Sequence, residues 1–197
     1  MFNKEPKVPR QTNILPIKFD DTNTEKFLLD SLFGIETFKT NPERAWLMNL
    51  SRLSDKARHE YNLTCGIMQS FTNEKSEKHL NTFLYQDAIN HMENALNALT
   101  RGVKYYDRLR KSRNNTEKYE KLKPRENFNT VILLRNAIEH TDEHILKGKI
   151  IEGQAHSLFI NEDGILLGAF FIDFDTISKI ISELHKRTLD IVGVNKS

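Results

Sequence analysis

One cysteine in 197 residues rules out an internal disulfide and a cysteine-based zinc site. Cys65 lies on an apolar helical pattern, where a small buried core residue fits better than a nucleophile. A reducing, cytoplasmic setting suits such a chain. Proline is scarce, and three of the five (Pro6, Pro9 and Pro16) fall among the first 21 residues, so long helices are free to form beyond them. No run of about 18 apolar residues occurs, which excludes a transmembrane helix. Met1-Phe2-Asn3-Lys4-Glu5-Pro6 has charge with no apolar segment behind it, unlike a secretory signal. The net charge of +2 does not by itself imply a nucleic acid or a membrane as partner. Dinucleotide-binding, P-loop, nucleophile-elbow and His-Glu-x-x-His patterns are all missing.

What is present is ordinary soluble-protein composition, 38% hydrophobic and 28% charged, in a length that forms one core. Residues 1–21 read as an extended arm whose Ile14, Leu15, Ile17 and Phe19 suit packing on the body or on a partner. Thr22 and Glu25 are spaced as a capping box for a short helix ending at Gly34. Asn41-Pro42 is a helix start, and Trp46, Leu50, Leu53, Ala57, Tyr61, Thr64, Met68 and Phe71 keep helical spacing to residue 71. Asn73 is placed to cap the next element.

A third apolar stripe runs from Leu80 to Leu109. Asp87 and His91 lie at its edge as local hydrogen-bonding partners, and Gly102 marks a bend or a close helix approach. A fourth helix is expected from Arg125–Asn129 to Lys147-Gly148. Residues 156–172 then read as a β-hairpin turning at Asn161-Glu162-Asp163-Gly164. Asp173 or Asp175 caps a last helix carrying Ile177, Ile180, Ile181, Leu184, Leu189 and Ile191. His185 on that helix and His156 before the hairpin read as surface residues. The fold class is mainly α, an antiparallel four- or five-helix bundle with a small β-hairpin before the C-terminal helix; residues 22–197 form one domain behind the arm.

Between the third and fourth helices lies a basic connector with Arg113, Lys118, Lys121, Lys123 and Arg125. It reads either as a solvated loop or as a phosphate-contacting patch, with Tyr119 available to stack on a base.

The fourth helix carries Arg135-Asn136-Ala137-Ile138-Glu139-His140, followed by Thr141-Asp142-Glu143-His144. At 100° per residue from Val131, Leu134, Ala137, Ile138, Thr141 and Ile145 share about 100° of arc facing the core. Arg135 and His140 fall on the polar remainder, about 140° apart, with Ile132 and Leu133 among them. A polar face flanked by apolar residues suits a second subunit, with a site completed across a two-fold axis. Two plainer readings stand beside this. One is an exposed face with Arg135–Glu139 and Arg135–Asp142 ion pairs of about 0.3–0.5 kcal/mol each. The other is a metal site using His140, His144, the adjacent Glu139 and Glu143, and His91.

The spacing Arg135-Asn136-x-x-x-His140 on a late bundle helix resembles the Arg-x(4–6)-His signature of the HEPN superfamily, and Glu139-His140-Thr141-Asp142-Glu143 resembles its continuation in uncharacterised bacterial members. The resemblance implies a metal-independent endoribonuclease of toxin or antiphage-defence type, needing no cofactor. It implies a homodimer joined through the motif helix, with RNA as substrate and a cognate antitoxin or regulator as a further partner. His140 is then the general acid or base, Arg135 the fixed cation for phosphate, Asn136 an orienting amide and Glu139 a clamp on Arg135. Members without catalysis serve as dimeric binding modules, which is the alternative the resemblance carries.

Overall fold

Asn41 and Pro42 open α1 (Asn41–Asn73) in the computed structural model, which describes residues 8–18, 22, 24, 25, 41–73, 81–112, 125–140, 143, 146, 147, 157–168 and 170–192. The helix keeps one apolar stripe at spacings of three and four, with Leu47, Leu50, Leu53, Ala57, Tyr61, Cys65 and Met68 all buried. Cys65 is a core residue as the stripe requires, and burial pushes its thiol pKa up. Asn73 is the last residue of α1. The cap of α2 (Thr82–Ser112) is Asn81, whose Oδ1 accepts the Leu84 N–H at 3.3 Å.

α1 and α2 form an antiparallel pair. Ser112 reaches Glu43, His91 reaches Glu60, and Thr64 Oγ1 donates to the Ala88 carbonyl, so low numbers on one helix face high numbers on the other. Gly102 lies where helices approach closely. A Cβ there would sit 2.9 Å from Leu184 Cδ2 and 3.7 Å from Leu53 Cβ.

α3 (Arg125–Glu139) turns Val131 and Leu134 fully inward and rests Ala137 and Ile138 on the core, the arc its angular pattern predicts. It ends eight residues short of Lys147. His140 is a turn residue, and helical geometry returns at Glu143 and Leu146, where Lys147 N–H donates to the Glu143 carbonyl at 3.0 Å. Thr141 and Asp142, which follow, lie outside the described residues.

The C-terminal third holds a three-stranded antiparallel meander, β1 (Phe159–Ile160), β2 (Gly164–Leu167) and β3 (Phe170–Asp173), in the order β1-β2-β3. The expected single hairpin therefore gains a strand. Gly168, with φ of 58°, splits the apolar run after Ile165, and Leu167 on β2 pairs with Phe170 on β3. Asp173 caps α4 (Phe174–Val192), its Oδ1 accepting the Thr176 N–H at 2.7 Å, while Asp175 lies in the first turn and pairs with Lys179.

α4 packs on α1 and α2, and His185 is buried rather than on the surface. It lies about 80° from Ile177 on the helical wheel, at the margin of the apolar stripe. Asp55 of α1 meets its Nδ1 at 3.7 Å, so the core tolerates an imidazole there.

The arm lies on the body. Asn13 N–H donates to the Glu162 carbonyl, Ile14 is buried, and the Asn62 side chain of α1 exchanges two hydrogen bonds with the Ile17 backbone at 2.8 and 2.9 Å. Leu15, alternating with these, is exposed. Thr22 Oγ1 donates to the Glu25 carboxylate at 3.3 Å, a contact between side chains in place of the side-chain-to-backbone bonds of a capping box, and Thr24 N–H donates to Asp55 at 2.7 Å. Phe19, the rest of the short first helix and its Gly34 stop lie outside the described residues.

Candidate functional site

The motif's cation is held on three sides. Arg135 Nε donates to Asn97 Oδ1 of α2 at 3.3 Å, Nη1 donates to Asn136 Oδ1 at 3.2 Å, and Nη2 donates to Glu139 Oε1 one turn on. A guanidinium carries five N–H donors, so among the described residues these three contacts leave two, one on each terminal nitrogen. The side chain is 18% exposed, so most of it is enclosed by these contacts.

His140 is placed differently. It is 57% exposed at the end of α3, with its N–H still donating to the Asn136 carbonyl at 3.1 Å and Nδ1 facing Glu143 Oε2 at 3.3 Å. Glu143 also pairs with Lys147, so its charge is shared between two basic partners. A carboxylate facing Nδ1 favours the tautomer with the proton on Nδ1, leaving Nε2 as the unprotonated nitrogen. Among the described residues no hydrogen bond joins Arg135 to His140, in keeping with their angular separation on the helix.

Of the four candidate catalytic residues, the structure brings Arg135, Asn136 and Glu139 into direct contact and leaves His140 beside them without touching the guanidinium. Of the basic connector, Arg113, Lys118, Lys121, Lys123 and Tyr119 lie outside the described residues, and Arg125 is described only as the first residue of α3. The Arg135–Glu139 ion pair of the plainer reading is present, and Asp142 lies outside the described residues, as do His144 and His156. Among the described residues no group of three or more His, Cys, Asp or Glu side chains is disposed to hold a metal ion. His91 sits instead between Glu60 at 2.7 Å and Asp87 at 3.8 Å, so its stronger partner comes from α1 and only the weaker from its own helix.

Asn97 is the site residue that sequence reasoning misses. It lies on the outward side of the α2 pattern, and no local signal shows that α3 will settle against it. Glu93, one turn earlier on the same side, is half-buried, and that burial pushes its carboxyl pKa up.

The fold and site define a mainly helical protein with a small antiparallel sheet before its last helix and a buttressed arginine on the third helix. No helix among the described residues is long and apolar enough to cross a membrane. No protein-family model matches the chain, and comparison with curated proteins and solved structures likewise finds no match.

Proposed function

We propose that this chain is a HEPN-like, metal-independent endoribonuclease that acts as a homodimer, of toxin or antiphage-defence type, with a cognate antitoxin or regulator as a further partner. The observation carrying the reading is the pinned Arg135 guanidinium, with two donors unclaimed among the described residues, five residues before an exposed His140 at the end of α3. In the reaction the ribose 2′-oxygen bonds to phosphorus as the bond from phosphorus to the 5′-oxygen breaks. One group takes the 2′-hydroxyl proton and another protonates the departing 5′-oxygen. Imidazole's ordinary pKa of about 6.5 suits either task near neutral pH. One His140 serves one of the two, and a second chain supplies the other. Arg135 offers its remaining donors to the phosphate oxygens as charge builds, already fixed by Asn97, Asn136 and Glu139. The acids of the motif oppose RNA less than their number implies, because Glu139 is paired with Arg135, and Glu143 with Lys147. Leu133 and Leu146, 51% and 87% exposed near the motif, suit a subunit contact.

Incubation with RNA in EDTA tests this. Cleavage is expected from the wild type and is lost in both Arg135→Ala and His140→Ala with helicity intact, and sedimentation at micromolar concentration shows a dimer. A monomer, or variants that cleave as the wild type does, overturns the reading. The same clamp on Arg135 also suits a non-catalytic dimeric binding module, and a dimer that leaves varied RNAs intact decides for that.

A further inference from the structure

The outward side of α2 continues past Asn97 into a row of cations. Arg101, Lys104, Arg108 and Lys111 follow it at spacings of three and four, within about 40° of its direction on the helical wheel. All four are exposed, and among the described residues none is drawn into an ion pair. Residues 101–111 hold five basic residues and one acid, a net +4 against +2 for the whole chain. The acid, Asp107, points elsewhere and faces Arg110, the fifth cation, at 3.6 Å. Arg108 stacks 5.8 Å from the Tyr105 ring centroid, a flat surface beside the row.

Cations at a helix C-terminus ordinarily answer the helix dipole, which accounts for Arg110 and Lys111 in the last turn. That effect fades within one turn, so it does not account for Arg101 or Lys104. The row spans about 15 Å along the axis from Arg101 to Lys111, and its inner end adjoins the residue that holds Arg135. We infer that this α2 row is the track on which the phosphates of single-stranded RNA lie, leading the strand to Arg135. Lys and Arg supply the sequence-independent attraction, and Tyr105 with Arg108 gives a base a stacking surface. This track rests on the ribonuclease reading for its direction toward Arg135 but not for binding itself.

The experiment is anisotropy titration of a fluorescein-labelled oligouridylate across a salt series, with cleavage followed on the same RNA. Replacing Arg101, Lys104, Arg108 and Lys111 by Gln should flatten the slope of log affinity against log salt by about 3, since each single-strand phosphate contact contributes about 0.7. Arg101→Lys with Arg108→Lys keeps the slope, and neutralising Arg44, Arg52 and Lys56 of α1, also exposed, changes it by less than about 1. Equal binding by the wild type and the four-fold variant, equal losses from the two helices, or no binding by the wild type overturns the track. Row-dependent binding without cleavage keeps the track and removes the nuclease. Cleavage indifferent to the row does the reverse.

Discussion

Arg135 Nε and Asn97 Oδ1 meet at 3.3 Å across the α2–α3 interface, between residues 38 apart in the chain. The bond comes from outside the motif helix and sets the plane of the guanidinium, which Asn136 and Glu139 alone hold only from its own helix. Asn97 is thus a positioning residue. On the proposed ribonuclease reading, Asn97→Ala should lower kcat for RNA about ten-fold, which is about 1.4 kcal/mol, with KM little changed. Asn97→Asp, which still accepts from Nε, should restore it. Equal loss in both variants would reduce Asn97 to a packing role.

Gly102 and Gly164, both at close contacts, should respond to alanine to different degrees. Gly102→Ala brings a methyl to 2.9 Å from Leu184 Cδ2, the mobile end of a side chain, while improving helix propensity by about 1 kcal/mol. Urea denaturation should find its stability within about 1 kcal/mol of wild type. Gly164→Ala directs a methyl at the Ile172 carbonyl oxygen and to 2.8 Å from Asp173 Cα. Backbone in a paired strand cannot retreat, so a loss of about 2 kcal/mol or more is expected.

Alkaline stability should be set by buried tyrosines. Burial pushes Tyr106 up to about 12, and burial pushes Tyr61 higher still, with its hydroxyl donating to the Phe174 carbonyl at 3.3 Å. Above pH 10 the unfolded chain loses these protons while the folded chain keeps them, so the folded state binds more protons and stability falls as pH rises. The contribution is complete below pH 10 and declines through about pH 12, by at most about 1.4 kcal/mol per pH unit for each group. Urea midpoints from pH 8 to 12 check this, and Tyr61→Phe should make the decline shallower.

Local chemistry alone determined a good deal. Three- and four-residue spacing placed α1, α2 and α4, because a helix buries one stripe whatever covers it. The same rule set which side of α3 faces inward, down to Val131 and Leu134, and hence put Arg135 and His140 on different azimuths. Cys65 and Gly102 were also legible from their neighbours. Only the tertiary structure decided what those faces meet. Gly168 made a turn where the pattern read as one long strand, because a left-handed residue leaves no mark on alternation. His185 went inside because Asp55 of another helix was there to face it. The arm settled on α1 and the sheet through Asn62 and Glu162, partners with no sequence proximity to it. Arg135 could be named from its motif, but Asn97, which holds it, and the cation row beyond could be joined to it only once α2 and α3 were packed. Contacts between distant segments depend on the whole chain's burial, and no local window contains that information.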